Sequence, residues 1–115
     1  MAMTLVQAIA RMEGFGHAGN IPTRNNNPGD ICAGAFTAAH GADGADGRFA
    51  HFPSADTGLT ALRALLTEHY IGLSVAAALA KYAPGCENDT AAYVRNVCAW
   101  MACTPETIVT AELIG

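Results

Sequence analysis

Helical periodicity starts in this chain, stops for a long stretch, and resumes, and that interruption limits the folds open to it. Residues 17–53 hold six of the twelve glycines and three of the five prolines, with no apolar recurrence at helical spacing. Before the stretch, Thr4 stands at a helix-capping position, and Leu5, Ala8, Ile9 and Met12 fall on one face until Gly14 and Gly16 end the helix. After it, helical patterns run almost to the end. At 115 residues the chain has the size of one domain with one core. The expected fold is therefore α+β and mostly α: a single domain over 1–115 with a small glycine-rich, partly β lobe inserted after the first helix. A cleft between the helical part and this lobe is the natural place for a site.

Within the interruption, Gly41-Ala42-Asp43-Gly44-Ala45-Asp46-Gly47 is the best turn, and Arg48-Phe49-Ala50-His51-Phe52 alternates as a short strand does. Ser54 caps the next helix, whose inward face is Leu59, Leu62, Leu65, Leu66 and Tyr70, and Gly72 stops it. Ser74 opens a third helix with Val75, Ala78, Leu79 and Tyr82 inward, ended by Pro84-Gly85. Asn88 or Asp89 starts a fourth that runs past Trp100, with Tyr93, Val94, Val97 and Met101 as its apolar stripe. Thr104-Pro105-Glu106 reads as a restart, with a cap, a proline at the first helical position and an acid near the positive helix end. A short last helix then carries Ile108, Val109 and Leu113.

Composition excludes several classes. Hydrophobic residues make up 51% and charged ones 14%, the balance of a packed protein and not of a disordered tail. No apolar run is long enough for a membrane span. The apolar start lacks a basic leader and an Ala-x-Ala cleavage site, so no signal peptide is expected. The net charge is −4, with six basic residues scattered singly, which argues against nucleic acid as a partner. Neither a cofactor nor a metal is expected, since no Cys-x-x-Cys or His-Glu-x-x-His pattern occurs. Cys32, Cys86, Cys98 and Cys103 permit three pairings or none. Cys98 and Cys103 are poorly spaced to pair within one regular helix, and a bridge from Cys86 to a helix residue fits better.

The residue with most chemical content is Glu13, a carboxylic acid that closes an apolar helix and is followed by Gly14-Phe15-Gly16. An apolar flank raises a carboxyl pKa, so such a group can carry a proton near neutral pH. Phe15 and the helix itself would supply that flank. Across from it, Arg24-Asn25-Asn26-Asn27-Pro28-Gly29-Asp30-Ile31 offers amides suited to hydroxyl and N-acetyl groups. Asn26 and Asn27 fit sugar binding or loop closure. Asp30, Asp43 and Asp46 are possible second carboxylates; ordinary turn chemistry explains the last two, and Asp30 reads as a structural or substrate-orienting turn residue. Gly29 is expected to hold backbone angles closed to bulkier residues. His51 reads as a packed or exposed strand residue, and Trp100 as core.

The order Glu13-Gly14-Phe15, then Asn26-Asn27-Pro28-Gly29-Asp30-Ile31, then Phe49-Ala50-His51-Phe52 with Gly58, then Tyr82-Ala83-Pro84 with Glu87-Asn88-Asp89-Thr90 and Tyr93, resembles the lysozyme-like superfamily. Within it the chain is similar to small phage and prophage muramidases and lytic transglycosylases. The resemblance implies a peptidoglycan-degrading glycosidase that cuts between N-acetylmuramic acid and N-acetylglucosamine, with Glu13 as general acid. It implies that Tyr82 lines the cleft with its hydroxyl near the acid or an acetamido group. Asn26, Asn27, Asp30, Tyr82, Asn88 and Tyr93 become the expected substrate-binding set. Peptidoglycan glycan strands are the expected partner and a monomer the expected state. Such a protein is made in the bacterial host cytoplasm and acts in the periplasm and cell wall or as part of a virion. Hydrolysis and transglycosylation both remain open, as do a glucosaminidase or chitinase-like hydrolase and a non-catalytic glycan-binding or virion structural module.

Overall fold

The computed structural model describes residues 2–83 and 89–115. The first helix, α1 (Leu5–Glu13), begins with a reciprocal cap in which the Thr4 side chain accepts from the Gln7 amide while the Gln7 side chain accepts from the Thr4 amide. It ends at Gly14, whose φ of +87° turns the backbone left-handed. Leu5, Val6, Ala8, Ile9 and Ala10 are its buried residues. They meet α4 (Ala55–His69), α6 (Thr90–Met101) and α7 (Ala111–Ile114). Together with α5 (Val75–Tyr82) these helices enclose the main core around Leu5, Ile9, Leu62, Leu66, Leu79, Tyr93 and Val97. Ser54, Ser74 and Asp89 cap α4, α5 and α6 through their side-chain oxygens.

The inserted lobe has more helix than its composition suggests. It holds two short helices, α2 (Ile21–Arg24) and α3 (Ala35–Ala39), and one hairpin of β1 (Gly44–Asp46) and β2 (Phe49–His51). Asn20 caps α2, and Pro22 stands in its first turn. The hairpin is antiparallel, with Asp46 opposite Phe49, so the tight turn is Gly47-Arg48, with Gly47 at φ +61°. The expected turn at 41–47 is thus corrected: part of it is strand β1, and Arg48 lies at the turn instead of in the strand. A second small core of Ala50, Phe52 and Ala61 joins hairpin to α4.

Three further expectations change. Thr104-Pro105-Glu106 starts no helix; Thr107 accepts from the Thr104 amide, the following segment pairs with Ser74 through Ile108, and Thr110 caps α7 instead. Helix α6 stops at Met101 because Ala102 adopts φ +53°, and the Cys103 amide then reaches back to the Cys98 carbonyl at 3.1 Å. The thiols of Cys98 and Cys103 consequently meet, which a regular helix would forbid, and burial with this neighbour pushes Cys98 up to about 11. Cys32, Cys98 and Cys103 carry free thiols. Cys86 and the Pro84-Gly85 helix stop lie outside the described residues. Among those described, no helix is long and apolar enough to cross a membrane.

Candidate active site

Glu13 is the last residue of α1, and its half-buried carboxylate faces α6. The two helices are held in register at the other end by the Met3 amide, which donates to the Trp100 carbonyl at 3.0 Å. That packing brings Tyr93, only 2% exposed, against the acid, and its hydroxyl donates to Glu13 Oε2 at 2.7 Å. Burial raises the pKa of Glu13; the Tyr93 bond partly opposes this, and the charge of Asp30 adds to the rise. Burial, reinforced by Glu13, pushes the Tyr93 phenol far above its ordinary value. Tyr93 therefore stays protonated and can donate to the Glu13 carboxylate.

The carboxylate opens into a cleft of about 230 Å³ shared with Gly29, Asp30, Ile31, Arg48, Tyr70 and Tyr82. Its opposite wall is residues 29–32, the end of a segment from Asn25 that is tied down from several sides. The Phe52 amide donates to the Asn25 carbonyl, and Asn26 Nδ2 donates to the Phe52 carbonyl. Asn27 is fully buried, donates to the carbonyls of Ile31 and Ala50, and accepts from the Ile31 amide, each at 2.9 Å. The Tyr82 hydroxyl donates to the Gly29 carbonyl at 2.5 Å. Pro28 and Asn26 press so closely on α4 that a Cβ at Gly58 would overlap the Asn26 carbonyl.

Asp30 emerges from this clamp with φ of +52°. Its Oδ1 is buried and has no hydrogen-bond partner among the described residues. Burial raises its pKa, and Arg48 works against the rise. Arg48 also stacks its guanidinium on the Phe49 ring at 4.9 Å, at the edge of the same cleft.

The structure thus brings Glu13, Asp30, Tyr82 and Tyr93 together and places Asn26 and Asn27 elsewhere. Asn27 cannot bind a sugar through its side chain, because the amide is enclosed and its bonds all go to backbone. Asn26 spends its amide on closing the loop against Phe52. Tyr93 is buried and touches the acid, so its place is behind Glu13 instead of in the substrate path. The Tyr82 hydroxyl has Gly29 as its partner, not Glu13. Asn88 lies outside the described residues. Asp46 pairs with Arg24 at 2.7 Å, and the Asp43 carboxylate accepts from His51 Nδ1 at 2.5 Å, both on the hairpin surface. The apolar flank also has a different source. Phe15 is not part of the cleft, and Leu65, Tyr70 and Phe49 supply it.

Arg48, Phe49, Leu65 and Tyr70 enter the site without having been singled out for it. The available signal was thin: Arg48 is one of six basic residues in an acidic chain and stands next to an aromatic. Leu65 and Tyr70 read as core from spacing alone, and both do pack against the core while also lining the cleft. Comparison of the chain with family models, with curated proteins and with solved structures found no match. The chemistry must accordingly come from the cleft itself. It holds a partly buried acid biased toward its protonated form, a fixed phenol donor behind it and a second carboxylate across from it. Such a pair suits proton transfer to and from one substrate.

Proposed function

We propose that this protein is a cell-wall glycosidase that cleaves the bond between N-acetylmuramic acid and N-acetylglucosamine, with Glu13 as general acid. The reading combines the lysozyme-like resemblance of the sequence with one supporting observation: Glu13 sits half-buried at a cleft between the helical part and the inserted lobe, gripped by Tyr93 at 2.7 Å. Breaking a glycosidic bond requires a proton delivered to the leaving oxygen as positive charge grows on the sugar ring. A carboxyl whose pKa burial has raised supplies that proton where an exposed Glu would already be ionised. A phage endolysin or virion-borne lysin is the biological role that suits such an activity.

The test is loss of turbidity of chloroform-treated Gram-negative cells by the wild type and by Glu13→Gln. The amide keeps the shape and cannot donate the proton, so lysis should fall by about 10²–10⁴-fold with the fold retained. A Gln variant that still lyses cells at the wild-type rate would remove Glu13 from the chemistry. Mass spectrometry of the digested peptidoglycan locates the bond. New ends at N-acetylmuramic acid support a muramidase, and new ends at N-acetylglucosamine would mean a glucosaminidase on the same scaffold.

A further inference from the structure

Asp30 does not behave as a structural turn residue. An aspartate that stabilises a turn accepts hydrogen bonds from its own loop, chiefly from a nearby backbone amide. Here that task belongs to Asn27, whose Oδ1 accepts from the Ile31 amide at 2.9 Å. Asp30 itself keeps a buried oxygen without a partner among the described residues and holds a left-handed backbone at φ +52°. Both features cost stability, and the loop gains no bond from either.

They persist because the neighbours over-determine the position. Tyr82 holds the Gly29 carbonyl on one side of Asp30, and Asn27 holds the Ile31 amide on the other. A Cβ at Gly29 would collide with the Tyr82 hydroxyl and Leu62, so the close approach of loop to helix needs glycine there. The effect of this clamp is to fix a carboxylate in the wall of the cleft that holds Glu13, with Arg48 also lining it. Burial raises the pKa of both carboxyls; Arg48 opposes the rise at Asp30, and the bond from Tyr93 opposes it at Glu13. Two carboxyls lining one cleft, one to give a proton and one to take it, are the pair that hydrolysis requires.

We propose that Asp30 is the catalytic base of this cleft, so that the enzyme hydrolyses its glycan instead of closing it to an anhydro-sugar. The proposal rests on the glycosidase reading above. Glu13 gives its proton to the leaving oxygen as the bond from that oxygen to the anomeric carbon breaks. A water molecule attacks the same carbon, and the Asp30 carboxylate takes the water's proton. The new reducing end keeps the water oxygen, and a proton returns from Asp30 to Glu13 through solvent.

Digestion of peptidoglycan in ¹⁸O-labelled water, followed by mass spectrometry, tests this on the full chain. Wild-type products should carry one ¹⁸O at the new reducing end and no anhydro terminus. Asp30→Asn keeps a side chain that tolerates the left-handed backbone and removes the base, so turnover should fall by about 10²–10⁴-fold with KM near wild type and Tm no lower than wild type. Asp30→Gly with added azide, a nucleophile that needs no deprotonation, should regain cleavage and yield a glycosyl azide. A purely structural Asp30 would show no such rescue. Anhydro termini from the wild type would overturn the proposal whatever the variants do, as would wild-type turnover by Asp30→Asn or absence of rescue in a folded Asp30→Gly. Those outcomes leave Glu13 as the acid of a one-carboxylate enzyme. A wild type that cuts no glycan would remove the glycosidase reading and this proposal together.

Discussion

The bond from Tyr93 to Glu13 controls how strongly the acid holds its proton. A hydrogen bond donated to a carboxylate favours the charged form and lowers its pKa, and Tyr93 does this against the larger opposite effect of burial. On the proposed mechanism Glu13 must be protonated, so activity should fall as pH rises through its pKa. Tyr93→Phe removes the donor without changing the buried ring. The pKa of Glu13 should then rise further, and the alkaline limb of the pH–rate profile should move to higher pH. Above that pKa the ionised acid also loses a charge-assisted bond, worth about 1.5–3 kcal/mol, so unfolding in urea at alkaline pH should shift to lower concentration. An alkaline limb that stays in place, or moves down, would show that Tyr93 has no hold on the acid.

The loop 25–31 and helix α4 are matched by subtraction of side chains. Gly58 lies inside α4, where alanine is ordinarily more stable than glycine by about 1 kcal/mol. Here a Cβ would overlap the Asn26 carbonyl, so Gly58→Ala should destabilise, by about 1–3 kcal/mol in the range of overpacked cores. A thermal melt showing a more stable Gly58→Ala would mean that the loop does not press on the helix as described. The clamp from α5 is tested separately. Tyr82→Phe leaves the Gly29 carbonyl without its donor. It should cost about 1 kcal/mol and reduce activity more than stability, since the loop it loosens carries Asp30. Equal lytic rates for Tyr82→Phe and wild type across a pH series would return this hydroxyl to a packing role. Gly29 is required for a related reason of space. Its backbone is not left-handed, unlike those of Asn26 and Asp30 on either side, so the expectation that it was chosen for its angles is corrected.

For the molecule as a whole, the cleft is a source of instability at neutral pH. The folded pKa values of Glu13 and Asp30 both lie above their ordinary ones, with burial the first cause in each. A group raised in this way contributes stability that is fully present below its unfolded pKa, near 4 for a carboxylate, and is lost as pH rises through its folded value. Glu13→Gln removes the share due to Glu13. The variant should melt above wild type at pH 7, and the difference should shrink toward zero as the pH approaches about 4. Circular dichroism melts over that range check this. A Gln variant less stable than wild type at pH 7 would mean that burying the carboxylate carries no penalty.

Glu13 was legible because its signal is local: an apolar helix with its cap at Thr4, its stop at Gly14, and an acid at the last position. The same holds for the Ser54, Ser74 and Asp89 caps, since a capping bond joins residues three apart and answers to nothing distant. The small helices α2 and α3 were not legible, because elements this short are formed by packing and not by intrinsic preference. The stop of α6 at Ala102 was hidden likewise, since a left-handed alanine is a choice that surrounding structure imposes. In the cleft the division is the same. The amino-acid order by itself determined that an acid closes the first helix and that an amide-rich glycine loop follows. Only the tertiary structure decided that Asn27 would be enclosed, that Tyr93 would grip Glu13 from eighty positions away and that Asp30 would be left facing the cleft. Those outcomes depend on which polar groups find partners once the core closes, and hydrogen bonds between distant segments leave no periodic trace along the chain.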